Sequence, residues 1–247
     1  LTDLGAEGWR EPCPAARSYI YRPQLAGRDA ELQKLIGHYT EAHQGKSQIL
    51  LLSGESGIGK TRLVGEFARA ASLSDKPAEV HVGDFRPQGG PLHGFRRILQ
   101  SIADHCRGLD KSEQQSIVGK RAVSLARYEP EFQWFVDKED SAPDLLPDAA
   151  RQLLFQDLWG MLHALGERQP LVLILDDVQW ADELSMEFLE YLRAQAQLAP
   201  LRAAILATRR TGEPCPSVDE FESRPGVVSV RLGRLEPDAV RMLISDM

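Results

Sequence analysis

Three glycines, a lysine and a threonine stand together in one short stretch, which reads Gly54-Glu55-Ser56-Gly57-Ile58-Gly59-Lys60-Thr61. Glycines allow backbone conformations that other residues avoid, and they let N–H groups approach an anion closely. An aliphatic run from Gln48 to Leu52 precedes the stretch, and a helical pattern follows from Arg62, so a helix would point its positive N-terminus at the same anion. The spacing predicts a phosphate-binding loop in which Lys60 reaches the β- and γ-phosphates and Thr61 binds Mg²⁺. We expect all eight residues and Arg62 to line the nucleotide site.

Two acids follow a second aliphatic run. Leu171–Leu175 ends in Asp176 and Asp177, and ligands of open parallel sheets bind at the carboxyl ends of the strands. We expect Asp176 to hold Mg²⁺ and Asp177 to orient or deprotonate the attacking water. The alternative is a strand that simply ends in a polar turn. The order of the two motifs along the chain favours the metal site.

A basic pair, Arg209 and Arg210, follows the aliphatic stretch Leu201–Ala207. A cation at such a strand end can sense the γ-phosphate and stabilise charge in the transition state. A solvated pair of arginines at the start of a loop is the alternative. These residues alone leave both interpretations open.

Composition is that of a globular protein, with 43% hydrophobic and 26% charged residues in a chain of 247. The longest apolar runs are too short to span a bilayer, and no signal peptide is visible. A net charge of −7 argues against direct nucleic-acid binding by this domain. The three cysteines, Cys13, Cys106 and Cys215, lack metal-ligand spacing, so we expect free thiols and a cytoplasmic location.

Five buried or half-buried strands separated by helices predict an α/β fold with a parallel sheet covered on both faces. The predicted strands are Gln48–Ser53, Glu79–Phe85, Leu171–Leu175, Leu201–Ala207 and Gly226–Leu232. Between residues 107 and 147 the periodicity predicts two helical segments, Ser112–Tyr128 and Glu131–Val136. Residues 1–23 lack sustained periodicity and predict a linker from an upstream domain.

Four motifs now stand in a fixed order. They are Gly27-Arg28-Asp29-Ala30-Glu31, the Gly54–Thr61 loop, Leu171–Asp177 continuing as Val178-Gln179-Trp180-Ala181-Asp182, and Thr208-Arg209. Together they resemble the signal-transduction ATPases with numerous domains (STAND), an AAA-like branch of the P-loop NTPases whose modules are fused to LuxR-type regulators, adenylyl cyclases and protein kinases. The resemblance implies a three-layer αβα sandwich with a five-stranded parallel sheet in the order 5-1-4-3-2. It also implies a nucleotide-binding domain over residues 24–235, and the start of a truncated helical lid over residues 236–247.

The resemblance also implies roles for individual residues. Gly27 and Arg28 would lie near the adenine, and Glu31 would fix their segment. Arg209, rather than Arg210, would correspond to the family's Thr-Arg sensor. Trp180 and Asp182 match family positions, and a buried tryptophan and a helix N-cap suffice to explain them.

By the same resemblance we expect a regulatory switch that binds ATP or ADP with Mg²⁺ and hydrolyses ATP slowly. Its expected partners are a fused or associated effector domain (kinase, cyclase or DNA-binding) and, with ATP bound, a second copy of itself; neither a membrane nor nucleic acid is expected. One alternative is a nucleotide-binding scaffold without turnover. Another is a DNA-loading ATPase of the initiator type, and a small-molecule kinase is disfavoured because no acceptor pocket is visible.

Overall fold

Five parallel strands form one sheet in the order β2-β3-β4-β1-β5 in the computed structural model, which describes residues 25–139, 143–237 and 239–241. The strands are β1 Gln48–Gly54, β2 Glu79–Asp84, β3 Leu171–Asp176, β4 Ala203–Arg210 and β5 Val227–Leu232. Read from its other edge, this is the predicted order 5-1-4-3-2. The α/β fold class and the AAA-like topology are therefore confirmed.

Eight α-helices lie entirely within the described part of the chain, and residues 237 and 239–241 are also helical. The eight are α1 Asp29–His43, α2 Lys60–Ser72, α3 His93–Arg107, α4 Lys111–Ile117, α5 Ala122–Leu125, α6 Pro147–Arg168, α7 Glu183–Leu198 and α8 Pro216–Ser223. None of the described helices is long and apolar enough to cross a membrane.

Two hydrophobic clusters cover the two faces of the sheet. Leu50 and Leu52 of β1 pack with α1 and α2 on one face. Ile49 and Leu51 face the other side, where the cluster includes residues of α3, α6, α7 and α8. Because helices cover both faces, β1 and β3 are continuous apolar runs rather than alternating ones.

Strand register brings the carboxyl ends of three strands together. Gly54, at the end of β1, is the partner of Arg210 on β4. On the other side of β4, Ala207 is the partner of Leu175 on β3. The phosphate-binding loop after β1 and the acids at the end of β3 therefore flank the end of β4.

The helical region before α6 differs from the prediction. The expected helix Ser112–Tyr128 is divided into α4, a 3₁₀ turn at Gly119–Arg121 and α5. Gly119 has φ +42°, a left-handed conformation that an α-helix cannot contain. The second predicted segment, Glu131–Val136, is a 3₁₀ helix over Pro130–Phe135.

Helix α8 was not predicted, although it packs Val218 and Phe221 into the core. The predicted linker, residues 1–23, lies outside the described residues, and so do residue 238 and residues 242–247 of the predicted lid.

Candidate functional site

The phosphate-binding loop connects β1 directly to α2, as the motif predicts. Gly59 precedes the first residue of α2 and has φ +100°, which a side chain would disfavour. Glu55, Ser56 and Gly57 are exposed. The loop therefore presents its backbone to solvent at the N-terminus of a helix, where an anion is stabilised.

Lys60 is held against this loop rather than extended into solvent. Only 8% of the residue is exposed, and Nζ donates to the carbonyl oxygens of Gly54 at 2.8 Å and Glu55 at 2.9 Å. Burial lowers the pKa of Lys60, while the nearby carboxylates of Asp177 and Asp176 act in the opposite direction. The predicted phosphate ligand and the predicted acids thus share one site.

Asp176 is the last residue of β3, and the hydroxyl of Thr208 donates to its Oδ1. The same hydroxyl accepts the backbone N–H of Asp177 at 3.1 Å. Thr208 is completely buried. One hydroxyl on β4 therefore holds the carboxylate of Asp176 and the backbone of Asp177.

Asp177 turns out of the strand, with φ +57°, a conformation that Asp tolerates better than most residues. Arg210 donates to its carboxylate twice, from Nη2 to Oδ2 at 2.8 Å and from Nε to Oδ1 at 3.2 Å. The side chain of Gln179 adds a third donor, Nε2, at 2.9 Å from Oδ1. The carboxylate is thus oriented by Arg210, one of the two candidate arginines of the sequence, and by Gln179, for which the sequence predicted no role.

Arg209 lies on the opposite face of the sheet from Thr208 and Arg210. Its Nη1 donates to Asp219 at 2.6 Å and to Glu222 at 3.1 Å, both on α8. Successive residues of a strand point to opposite faces, so only one of two neighbouring arginines can face the phosphate loop. The structure brings Arg210, and not Arg209, to Asp177.

The two residues predicted to bind Mg²⁺, Thr61 and Asp176, lie in the first turn of α2 and at the end of β3. Asp176 supplies a carboxylate, and Thr61 supplies an exposed hydroxyl in the first turn of α2. Mg²⁺ prefers oxygen ligands and is commonly held by one or two protein groups plus substrate phosphates. No cluster of three or more His, Cys, Asp or Glu that could hold a metal occurs among the described residues.

The segment predicted to lie near the adenine is joined to the phosphate loop. Arg28 is 6% exposed and donates to the carbonyl oxygens of Ile58 at 3.4 Å and Gly233 at 2.5 Å. Glu31 forms an ion pair with Arg28 at 3.0 Å, as expected of a residue that fixes the segment. Gly27 has φ +65°, and a Cβ there would lie 2.5 Å from Cβ of Ala239.

The remaining predicted residues have structural partners. Arg62, on α2, pairs with Glu66 at 3.2 Å. Asp182 caps α7 by accepting the N–H of Ser185 at 3.1 Å, which confirms the predicted N-cap. Trp180 is 40% exposed, so the expectation of a buried tryptophan is wrong. The 3₁₀ turn Val178–Trp180 buries its first two residues instead.

A family model described as an AAA ATPase domain matches residues 24–206. The chain belongs to the AAA ATPase family. Membership implies the use of a nucleotide, usually together with Mg²⁺. A search of curated proteins gives no match.

Solved structures of two proteins, Cdc6p and ORC1, share the fold of this AAA ATPase domain. Cdc6p from Pyrobaculum aerophilum has a TM-score of 0.51 at 16% identity, over 94% of this chain and 51% of that one. The Aeropyrum pernix ORC1 protein, solved in complex with DNA, has a TM-score of 0.50 at 15% identity, over 93% of this chain and 51% of that one. The chain thus spans about half the length of these two proteins.

Proposed function

We propose that this AAA ATPase domain is a regulatory switch that binds ATP with Mg²⁺ and hydrolyses it slowly. The observation that carries the proposal is the double hydrogen bond between Arg210 and Asp177, beside buried Lys60. A cation for the γ-phosphate and a carboxylate for the attacking water are thereby held together at the end of the phosphate loop.

Each side chain has a task in this proposal. Lys60 binds the β- and γ-phosphates, and Thr61 and Asp176 hold Mg²⁺, which neutralises phosphate charge when bound. Asp177 orients or deprotonates the attacking water. Arg210, in place of Arg209, contacts the γ-phosphate. Gly27 and Arg28 line the adenine side.

The proposed switching between ATP-bound and ADP-bound conformations depends on the contacts that the end of β4 makes. ATP and ADP differ by one phosphate, so only contacts to that phosphate can favour different conformations. Arg210 would make such a contact, and the next residue back along β4, Arg209, is ion-paired to α8. A change of position at the end of β4 would therefore reach the surface through α8.

Nucleotide affinity and hydrolysis test these roles. We expect Lys60→Ala to weaken ATP binding by roughly 10- to 100-fold, because it removes charge-assisted hydrogen bonds to phosphate. Asp177→Asn should keep ATP affinity but slow hydrolysis by about 100-fold, the usual contribution of a general base. Equilibrium binding of a fluorescent ATP analogue and single-turnover phosphate release measure the two quantities separately.

The neighbouring arginines provide a matched comparison. Arg210→Ala should reduce the preference for ATP over ADP by about 10-fold, since it removes a charged contact to the γ-phosphate. Arg209→Ala should instead lower the unfolding temperature, because it leaves two carboxylates of α8 without their partner. If Arg209→Ala lost the ATP preference and Arg210→Ala kept it, the sensor would be Arg209 after all.

A DNA-loading ATPase is the second candidate, favoured by the similarity of the fold to ORC1, which was solved in complex with DNA. The net charge of −7 is unfavourable for binding a phosphate backbone. Fluorescence anisotropy with duplex DNA at several salt concentrations decides between the candidates: tight, salt-sensitive binding supports DNA loading. If the wild type binds ATP but releases phosphate no faster than Lys60→Ala does, the result would instead indicate a nucleotide-binding scaffold without turnover.

The effector and the assembly state complete the proposal. A switch of this kind acts in the cytoplasm, where ATP is available, on a fused or associated kinase, cyclase or DNA-binding domain. It self-associates when ATP is bound. Size-exclusion chromatography with light scattering, in ATP and in ADP, measures that self-association.

A further inference from the structure

The side chain of Gln179 is buried between the two strand ends that carry the proposed chemistry. The residue is 8% exposed and follows Asp177 in the 3₁₀ turn after β3. Its Nε2 donates to Oδ1 of Asp177 at 2.9 Å, and its Oε1 accepts the backbone N–H of Arg210 at 3.2 Å. One side-chain amide thus contacts both the acid and the backbone that carries the arginine.

The direction of this amide is set by its partners. A carboxylate can only accept hydrogen bonds, and a backbone N–H can only donate. If the amide were turned by 180°, Oε1 would face the carboxylate and Nε2 would face the N–H, and both contacts would be repulsive. Gln179 is therefore fixed in one orientation, and it fixes both partners in return.

Gln179 also supplies a hydrogen-bond acceptor that the backbone of the sheet does not provide for the Arg210 N–H. Pairing between β3 and β4 ends at Leu175 and Ala207, before Arg210 is reached. On its other side β4 is still paired, since Thr211 donates to the carbonyl of Gly54 at 3.1 Å. The Gln179 amide supplies the acceptor that a longer β3 would have offered to Arg210.

Asp177 is held by Gln179 and Arg210 together. If Arg210 turns towards a γ-phosphate, the two bonds from its side chain to Asp177 weaken or break. The bond from Gln179 does not depend on that side chain, because Gln179 contacts the Arg210 backbone instead. The carboxylate would keep its direction towards the attacking water.

We infer that Gln179 is a positioning residue, which holds the Asp177 carboxylate and the Arg210 backbone in register while the Arg210 side chain changes partner. This inference rests on the proposed ATPase function. It goes beyond it by naming the group that couples the carboxylate to the sensing arginine.

Two variants of similar size separate positioning from simple packing. Gln179→Met removes both hydrogen bonds and should lower kcat roughly 10- to 100-fold, since small displacements of catalytic groups cost that much. ATP affinity should stay within about threefold, because Gln179 does not contact the phosphate loop. Equal losses of kcat and of affinity, or an unchanged kcat, would overturn the inference.

Gln179→Glu places a second carboxylate beside Asp177. An ionised carboxylate accepts hydrogen bonds and does not donate them, so this variant keeps the acceptor for the Arg210 N–H and loses the donor to Asp177. We expect kcat at neutral pH to fall roughly 10- to 100-fold with this variant too. An unchanged kcat would contradict a positioning role. Gln115→Glu, at an exposed position on α4, controls for the added charge.

A measurement without ATP keeps the inference separate from the proposed function. Amide hydrogen exchange followed by NMR should show the Arg210 N–H exchanging about 10-fold faster or more in Gln179→Met, because its acceptor is lost. Other β4 amides should be unchanged. Unchanged exchange at Arg210 would overturn the inference whether or not the wild type hydrolyses ATP. Failure of the wild type to hydrolyse ATP, with faster exchange in the variant, would overturn only the ATPase proposal.

Discussion

The buried hydroxyl of Thr208 contacts both acids at the end of β3. It donates to Asp176 and accepts from the Asp177 backbone, and it is completely buried. Thr208→Val keeps the shape but leaves the Asp177 N–H without its partner, so we expect a loss of about 1–3 kcal/mol in the free energy of unfolding. Urea denaturation measures this change in the free energy of unfolding. Thr40→Val, on the exposed face of α1, is the matched control and should change stability by less than about 0.5 kcal/mol.

The two described cysteines should differ in reactivity. Burial is the main cause that raises the pKa of Cys106 to about 12, with the charge of Glu79 adding to it. Cys215 is partly exposed. Because the thiolate is the reactive form, a maleimide at neutral pH should label Cys215 within minutes and Cys106 only in denaturant. Peptide mapping by mass spectrometry identifies the labelled residue, and rapid labelling of Cys106 in the native protein would show that its site opens.

At the scale of single residues, sequence spacing located a motif only where its chemistry requires a fixed order of residue types. The loop from Gly54 to Thr61 and the strand ending in Asp176 could be located because each motif combines a fixed residue order with a required element. The choice between Arg209 and Arg210 could not be made from the sequence. Alternation along β4 separates the two residues, but which face lies against the loop depends on how α2 packs.

At the scale of secondary-structure elements, Gly119 likewise shows a feature that the sequence pattern did not predict. Periodicity joins Ser112–Tyr128 into one helix, whereas Gly119 at φ +42° ends α4 and starts the 3₁₀ turn. Gly119→Ala should destabilise the protein by about 1 kcal/mol, since a side chain disfavours this conformation. Thermal unfolding with calorimetry gives the change.

The matched variant for Gly119 lies in a regular helix. Gly37 is in α1, and a Cβ there would meet no atom within 4 Å. Gly37→Ala should therefore stabilise the protein, by roughly 0.5–1 kcal/mol. Changes of the same sign in both variants would contradict the assigned backbone conformation of Gly119.

Helix α8 was missed because its pattern is short and begins at Pro216, within a stretch that reads as a loop. The strands were found because both of their faces are covered, which makes them continuous aliphatic runs. The ion pairs between Arg209 and α8 join residues 10 and 13 positions apart in sequence. No local sequence pattern predicts such an ion pair.

At the scale of the whole molecule, the buried strand patterns predicted a parallel sheet covered on both faces, whereas the order of its strands came only from the family resemblance. The groups that lie between elements were harder to foresee. A cluster of titratable side chains joins β2 to α3: Glu79 Oε1 lies 3.0 Å from Nε2 of buried His81 and 3.2 Å from Nδ1 of half-buried His105. None of these residues belongs to a motif, and only the packing of α3 against β2 unites them.

This cluster predicts how the stability of the domain depends on pH. Burial alone would raise the pKa of Glu79, but the contact with His81 and the charges of His81, His105 and Arg168 outweigh it, so the pKa lies below its ordinary value of 4.5. A carboxylate with a depressed pKa contributes stability that is present above its ordinary pKa and is lost as the pH falls through the folded value. We therefore expect the wild type to lose stability between about pH 5 and pH 3, and Glu79→Gln to lose less over that range.

Urea denaturation at a series of pH values measures this difference. The Glu79→Gln variant should be less stable than the wild type near neutral pH, because His81 and His105 lose a carboxylate partner. Its stability should also depend less on pH on the acid side. Glu139→Gln removes a carboxylate from an exposed position and should leave the acid side as steep as in the wild type. Equal slopes for the wild type and Glu79→Gln would mean that the ion contacts of Glu79 do not control acid unfolding of the domain.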